Sequence, residues 1–233
     1  MLAEVSTYVV LARRQETPTT TTLSLEKIDG TIPDYIPGQC LTVYFPDLSQ
    51  TLGKQYSISS APSEKNFSIT VKAIGRFSER LCSLAAGDLM LASDPHGTFY
   101  PKHRDTVILL AGGMGVTPFR SIIVETLAKA SATHISLFYS SKTLIDMPFA
   151  NDLLRLSKQN PILTLERFVT NQSNVSSRGI RYRHMRLDDI TNAYDLQNAE
   201  FLISGSLGFV LELKNILIKA EVNRENILTE AYF

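Results

Sequence analysis

The sequence predicts two domains, an antiparallel β-barrel followed by an α/β domain built on a parallel sheet. Up to about Tyr100 the apolar segments are short, rich in β-branched residues and separated by tight-turn residues, which is typical of small barrels. From Asp105 onward, longer apolar runs alternate with amphipathic helical stretches, which is typical of parallel α/β sheets. We therefore place residues 1–102 in the barrel and 103–233 in the α/β domain.

Composition excludes several classes of protein. The chain has 233 residues with 23 Lys+Arg and 23 Asp+Glu, and zero net charge argues against nucleic acid as a partner. Its apolar stretches are far shorter than the roughly 20 residues of a membrane span, and its start lacks a signal-peptide pattern. Cys40, Cys82 and the four histidines show no ligand spacing. We expect a soluble, cytoplasmic protein without a metal site or disulfide.

The barrel strands are predicted from alternation and turn residues. Phe67–Val71 alternates apolar and polar side chains, as a strand with one buried face does. One short helix interrupts the strands, because Phe77, Leu81 and Leu84 recur at helical spacing. The six candidate strands are Thr7–Leu11, Thr20–Leu25, Gln39–Phe45, Tyr56–Ser59, Phe67–Val71 and Leu89–Ser93.

In the α/β domain, uninterrupted apolar runs mark buried parallel strands. They are Thr106–Ala111, Ile135–Tyr139 and Phe201–Ile203, and a final strand is expected at Ile227–Thr229. Two helices carry apolar stripes, one through Phe119, Ile122, Ile123, Thr126 and Leu127, the other through Phe209, Val210, Leu213, Ile216 and Leu217.

A glycine-rich turn, Ala111–Pro118, follows the first of these strands. Glycines allow the backbone to approach a ligand closely, and Pro118 suits the first helical position. The following helix N-terminus offers N–H groups to a pyrophosphate, although a plain tight turn remains an alternative. An ordinary Rossmann site fits less well, because Tyr139–Thr143 lacks the acid expected at the end of the second strand.

Seven short motifs occur in the order of one known family. They are Pro37-Gly38-Gln39, Lys54–Ser60, Gly75–Ser78, Asp94–Phe99, Gly113–Pro118, Ser204-Gly205 and Glu230–Tyr232. Together they make nearly the whole chain resemble the ferredoxin–NADP reductase (FNR-like) superfamily. The resemblance implies an FAD-binding, reductase-type barrel followed by an NAD(P)-binding α/β domain, with NADH or NADPH as hydride donor.

The resemblance also implies roles for individual residues. Tyr56 is expected to stack on the flavin, Ser57 to reach its N5 atom, and Lys54 to meet its diphosphate. Ser57, Ser204 and Glu230 are expected around the hydride path. The residues expected to bind the two cofactors are Lys54, Gln55, Tyr56, Ser57, Val71, Lys72, Ala73, Gly75, Phe77, Ser78, Gly112, Gly113, Gly115, Thr117, Pro118, Gly205, Tyr232 and Phe233.

Three positions depart from the family pattern. Lys54 stands in place of the usual Arg, so that a bidentate phosphate contact becomes a point-charge contact. Ser204 replaces the usual Cys beside the nicotinamide, and Leu207 lies near the usual proline-containing turn. None of these changes removes an obligatory acid or base.

The predicted function is an FAD oxidoreductase that takes hydride from NAD(P)H and passes electrons to a ferredoxin, flavodoxin, oxygenase-type partner or small acceptor. We expect a separate acceptor because the sequence has no cysteine-rich iron–sulfur segment. Two alternatives stay open: a flavin reductase that releases reduced flavin, and a non-catalytic electron-transfer or regulatory subunit.

Two further segments have open interpretations. Tyr232 or Phe233 is expected either to cover a flavin face or to pack on the core. The basic stretch Arg178–Arg186 has three interpretations: a grip on the 2′-phosphate of NADPH, a dock for an acidic protein, or a solvated loop. Thr170–Gln172 lacks the Ser-Arg pair typical of NADPH-specific relatives, and the choice between NADH and NADPH stays open.

Overall fold

The computed structural model describes residues 5–48, 53–102, 106–131, 134–172, 179–191 and 196–232. The chain divides into two compact units. The first comprises Met1–Tyr100 with Arg120–Glu125, and the second comprises Pro101–Phe119 with Thr126–Phe233. No helix of the described part is both long and apolar enough to cross a membrane.

The first unit is an antiparallel six-stranded sheet with the order β4-β3-β6-β1-β2-β5. An isolated bridge between Ile58 and Ile69 connects the chain next to β4 with β5, so the two outer strands of the sheet meet. The predicted barrel is therefore confirmed. Its elements are β1 (Val5–Thr17), β2 (Thr20–Lys27), β3 (Cys40–Tyr44), β4 (Lys54–Ser57), β5 (Phe67–Lys72), α1 (Arg76–Ser83) and β6 (Leu89–Ser93).

Strand β5 differs from the sequence prediction, because both of its faces are buried. Ser68 and Thr70 are as buried as the apolar residues between which they lie. Their hydroxyls are satisfied within the sheet: Ser59 Oγ lies 2.9 Å from Ser68 Oγ and 3.0 Å from Thr70 Oγ1, and Thr22 Oγ1 lies 2.8 Å from Thr70 Oγ1. Small hydroxyl side chains can line a buried face when they bond to each other.

The second unit is a parallel six-stranded sheet with the order β10-β9-β8-β7-β11-β12. Its strands are β7 (Thr106–Gly112), β8 (His134–Ser141), β9 (Leu163–Val169), β10 (Ile180–Arg181), β11 (Ala199–Ser206) and β12 (Ile227–Tyr232). Its helices are α3 (Ala150–Gln159), α4 (Leu187–Thr191) and α5 (Leu207–Lys219), together with the two ends of α2 (Val116–Lys129). The predicted α/β class is confirmed, and the last strand runs parallel to β11 as expected.

The apolar faces of the two predicted helices point inward. Phe119, Ile122 and Ile123 of α2 and Val210, Leu213 and Leu217 of α5 are all at most 4% exposed. At the other end of the second unit, Phe138 of β8 and Phe168 of β9 stack with ring centroids 6.4 Å apart.

Candidate functional site

The N-terminus of α1 is open. Gly75, which precedes the helix, has an extended backbone, and a β-carbon built there meets nothing within 4 Å. Ser78 Oγ accepts the N–H groups of Ile74 and Gly75 at 3.0 and 3.2 Å and donates to the Gly75 carbonyl at 3.0 Å. These bonds fix the turn, while helix geometry leaves the first N–H groups of α1 without an intrahelical acceptor. Such a helix end suits an anion.

An aromatic cluster adjoins this turn. Phe77, the second residue of α1, is 7% exposed, and the Tyr56 ring stacks on it at 6.3 Å with an interplanar angle of 19°. Lys54 Nζ lies 5.6 Å from the centroid of the same ring. Burial raises the pKa of Tyr56, so its hydroxyl stays protonated. The fold thus brings Lys54, Tyr56, Phe77 and Ser78 together, as the sequence interpretation expected of flavin-binding residues.

The other predicted flavin-binding residues lie on the same sheet. Ser57 is buried and opposite Cys40, whereas Gln55 is exposed and opposite Thr42. Val71 and Lys72 end β5, and the N–H of Ala73, the next residue, donates to the Thr19 carbonyl at 2.8 Å. This edge of the sheet leads directly into the Gly75 turn.

In the same unit, the His96 side chain contacts two residues of β3. Its Nε2 lies 2.9 Å from Thr42 Oγ1, and its Nδ1 lies 3.6 Å from Cys40 Sγ. Cys40 and Cys82 are both buried thiols that form no disulfide. Within the described ranges, no three His, Cys, Asp or Glu side chains are grouped closely enough to hold a metal ion.

The glycines around the turn of the second unit are favoured for different local reasons. Gly113 has a φ of +54° and open space around it, so a ligand can approach its backbone. Gly115 instead packs on β11, where an added β-carbon would overlap the carbonyl of Ser204. Gly112 and Gly205 both lie against Phe209, 2.9 Å from where their β-carbons would be. A β-carbon at Gly115 would therefore fill the space of the neighbouring strand and not space open to a ligand.

Thr117 and Pro118 both lie at the start of α2. The sequence suggested that Pro118 is the first residue of this helix, but the helix begins at Val116 and Pro118 is its third residue. The missing N–H of Pro118 still costs no hydrogen bond, because it falls in the first turn. Thr117 is 3% exposed, and its Oγ1 has no hydrogen-bond partner. The fully buried Ser204 Oγ also lacks one.

The C-terminal strand places the predicted acid beside these groups. In the registers of β11 with its neighbours, Ser204 lies opposite both Ala111 and Glu230. Tyr232 donates its hydroxyl proton to Glu230 Oε2 at 2.9 Å. The predicted residue Phe233 lies outside the described residues. Within the second unit, the structure thus gathers the glycine turn, Ser204, Glu230 and Tyr232 at the carboxyl edge of three adjacent strands.

The positive charge of the basic stretch is partly neutralised by two carboxylates that the sequence analysis did not connect with it. Arg183 donates to both carboxylate oxygens of Asp189, at 2.5 and 2.7 Å, and Arg181 bonds to the same carboxylate and to Glu166 at 3.1 Å. Both guanidinium groups also lie 5.6 Å from the Phe168 ring. Arg178 lies outside the described residues. Asp189 follows the basic stretch in the sequence, and Glu166 lies on a different strand, β9. The sequence pattern of the basic stretch alone therefore did not reveal these ion pairs.

Comparisons with known proteins agree with this geometry. Residues 109–214 match the family model of the oxidoreductase NAD-binding domain. Flavohemoprotein A of Dictyostelium discoideum is 27% identical over 244 residues, which cover 97% of this chain and 59% of that protein. The flavohemoprotein-like FAD/NAD-binding domain of a nitric oxide dioxygenase from Vibrio cholerae is similar with a TM-score of 0.86 at 24% identity, covering 97% of this chain and 98% of that one.

Ferredoxin–NADP⁺ reductase of Plasmodium falciparum, solved with 2′P-AMP, is similar with a TM-score of 0.81 at 18% identity, covering 99% of this chain and 98% of that one. The whole chain has the two-domain fold of these reductases, and its residues 109–214 match the NAD-binding family. The expected class of FAD- and NAD(P)H-dependent oxidoreductases agrees with the names of these similar proteins, which include an FAD/NAD-binding domain and a ferredoxin–NADP⁺ reductase.

The described residues of both units fit the two expected cofactors. The open α1 N-terminus beside Lys54 suits a diphosphate, and the aromatic cluster suits a flavin ring. In the second unit, the two unpartnered hydroxyls beside the glycine turn have the capacity to form hydrogen bonds with a polar group. The chain spans 55–59% of the length of three flavohemoproteins that it matches, so activities of those whole proteins are not transferred to it.

Proposed function

We propose that this chain takes hydride from NADH or NADPH onto FAD and passes electrons to a separate acceptor. The observation that carries the proposal is the grouping of Lys54, Tyr56 and Ser78 around Phe77 at an open helix N-terminus. A cation, an aromatic platform and unpaired N–H groups in one place are what a flavin with a diphosphate tail requires.

Each group has a role that follows from its position. When bound, the flavin accepts hydride and delivers electrons onward, which is the cofactor's own chemistry. Lys54 and the α1 N-terminus neutralise the diphosphate, and Tyr56 holds the ring. Within the first unit Ser57 would orient the flavin, and within the second unit Glu230 would orient the nicotinamide, while the glycine turn and the start of α2 would hold the nucleotide's pyrophosphate.

The acceptor is proposed to be a redox group outside these 233 residues. They contain two cysteines, which are too few for the four thiolates of an iron–sulfur cluster. The names of the matched flavohemoproteins indicate haem-containing proteins, so a haem protein is the first acceptor to test.

Anaerobic titration tests the proposal. Protein loaded with FAD should lose its flavin absorbance when NADH or NADPH is added, and the reduced protein should then reduce a haem protein such as cytochrome c. Colourless protein that consumes added flavin and releases it reduced would support the flavin reductase instead. Flavin that neither nucleotide reduces would support the non-catalytic subunit.

A further inference from the structure

The strand that carries three of the proposed flavin contacts is short and lies at one edge of its sheet. Strand β4 has four residues, among them Lys54, Tyr56 and Ser57, and pairs with β3. Beside it, the barrel is closed by an isolated bridge between Ile58 and Ile69. Since a pair of short strands is only marginally stable by itself, the position of β4 depends on what holds the chain that follows it.

That following segment, residues 58–64, is held by the middle of α2, the part of the helix that belongs to the first unit. Arg120 Nη1 donates to the Ser59 carbonyl at 2.9 Å. The same guanidinium donates to both carboxylate oxygens of Glu64, at 2.8 and 2.9 Å. Glu64 Oε2 in turn accepts the N–H of Ala61 at 2.7 Å. One guanidinium group thus fixes both the start and the end of the segment.

Two neighbouring side chains of α2 bind the same segment. Ser121 Oγ donates to the Ser60 carbonyl at 2.5 Å, and the Glu125 carboxylate accepts the N–H of Ser63 at 2.8 Å. Ser121 is fully buried, and Glu125 is 4% exposed. The middle of α2 therefore supplies hydrogen-bond partners to the backbone at Ser59, Ser60 and Ser63.

The ion pair within this contact is poorly explained by stability alone. The Arg120 side chain is 13% exposed and that of Glu64 is 31% exposed, so both charges lose much of their hydration. The cost of removing two charges from water offsets most of their attraction, and apolar residues of similar size often stabilise a fold as well or better. What the planar guanidinium adds is a fixed geometry, because its fork contacts several acceptors at set angles.

We propose that Arg120 is a positioning residue for the flavin, an inference that rests on the proposed function. By holding Ser59 and Glu64, Arg120 fixes the path of the chain that leaves β4. It thereby sets the place of Tyr56 and Ser57, to which the flavin is proposed to bind. Groups that align reactants are sensitive to small shifts, and a displacement of about 1 Å can cost about a hundredfold in rate.

Equilibrium titration with FAD, at a temperature where the proteins are folded, provides the first test. Arg120→Ala should weaken FAD binding about five- to tenfold, the worth of one net hydrogen bond, and should change the visible circular dichroism of the bound flavin. Arg120→Lys keeps the charge beside Glu64 but loses the fork, so its affinity should be intermediate. Both effects arise without any contact between residue 120 and the flavin.

Lys27→Ala is the matched control. Lys27 lies on β2 of the same unit, its side chain is 20% exposed, and it pairs with Asp94 at 2.6 Å. This variant therefore also breaks a partly buried ion pair, but at a different place in the sheet. It should lower the melting temperature and leave FAD affinity within about twofold of the parent, because a single hydrogen bond elsewhere does not move β4.

Hydrogen exchange of the flavin-free protein provides the second test. In Arg120→Ala the backbone amides of β4 should exchange faster than in the parent, while those of β2 keep their protection. If Arg120→Ala does not fold, Arg120→Lys and Glu64→Gln allow the same comparison, because each keeps a hydrogen-bonding side chain at its position. Their β4 amides should also exchange faster, and their FAD affinity should be lower than that of the parent.

Three results would overturn the inference: parental FAD affinity in the folded Arg120 variants, an equal loss of affinity in Lys27→Ala, or unchanged exchange of the β4 amides. Each would leave Arg120 with a role in stability only. A parent protein that binds FAD but is reduced by neither NADH nor NADPH would contradict the proposed function alone, since the affinity comparison needs no hydride transfer.

Discussion

Gly115 and Ser204 are in such close contact that a β-carbon on Gly115 would overlap the carbonyl oxygen of Ser204. The glycine turn and β11 therefore form one packed unit, and the position of the turn is set by the strand beside it. Gly113, two residues earlier, has open space around it and a left-handed backbone. Glycines of the same motif thus serve two purposes, close packing at one and access to the backbone at the other.

This difference predicts unequal effects of alanine at the two glycines. Gly113→Ala should cost about 1–2 kcal/mol of unfolding free energy, the strain of a left-handed residue with a side chain. Gly115→Ala should cost more, because overpacking against backbone adds about 1–3 kcal/mol or more. Urea unfolding of both variants measures the difference. Equal costs would show that the backbone around Gly115 shifts enough to accommodate the added β-carbon without extra strain.

The second prediction concerns flavin affinity. Lys54→Ala should weaken FAD binding by about 1.5–3 kcal/mol, the usual worth of a hydrogen bond to a charged group. Lys65→Ala serves as the control, because Lys65 is also an exposed lysine of the first unit but lies outside the Phe77 cluster. Fluorescence titration with FAD measures both. Equal affinity in the two variants would remove Lys54 from the proposed site.

The third prediction uses the Asp189 carboxylate, whose side chain is 4% exposed. The hydrogen bonds from Arg183 lower the pKa of Asp189 from 3.8 to about 2. A folded-state pKa below the unfolded value stabilises the fold above pH 4, and this contribution disappears as the pH falls from about 4 to about 2. Arg183→Ala should therefore cost about 1–2 kcal/mol at pH 7, and the difference from the parent should shrink in that acid range.

A matched control exists on α3. Arg155 also pairs with an aspartate, Asp152, at 2.6 Å, but its side chain is 58% exposed. Exposed pairs of this kind contribute little, so Arg155→Ala should change the unfolding free energy by less than about 1 kcal/mol. Chemical unfolding between pH 2 and pH 7 checks both variants. A cost of Arg183→Ala that does not vary with pH would contradict the assignment to Asp189.

The sequence predicted the fold class because both domains have strong patterns. The apolar run of β7 and the amphipathic α5 could be read directly, since burial on both faces or on one face determines their composition. Strand β9 was missed because its middle residues are half-buried and include Glu166 and Arg167, which break the apolar pattern. The second half of β1 was missed for the same reason, since Arg13–Gln15 are exposed while their backbones pair with β2.

For the candidate site, too, the sequence predicted some of the residues and could not predict the contacts between them. Motif spacing identified Tyr56, Ser78 and Ser204, but the contact of Lys54 with the Phe77 ring joins positions 23 residues apart and depends on β4 lying beside α1. The unpartnered hydroxyls of Thr117 and Ser204 could not be inferred at all, because hydrogen-bond satisfaction depends on every neighbour in space.

The last prediction concerns Glu230 and the tyrosine that holds it. Tyr232 donates to Glu230 Oε2, and both side chains are half-buried at the end of β12. If Glu230 stabilises charge mainly in the transition state, Glu230→Gln should slow flavin reduction by about tenfold, or about 1.4 kcal/mol of barrier, with little change in NAD⁺ affinity. Tyr232→Phe removes only the hydrogen bond and should give a smaller loss, since the carboxylate remains. Stopped-flow reduction measures the rates, and calorimetry measures the affinities. A Tyr232→Phe variant slower than Glu230→Gln would show that the tyrosine itself acts on the bound cofactors, and unchanged rates in both would leave this end of β12 with a packing role only.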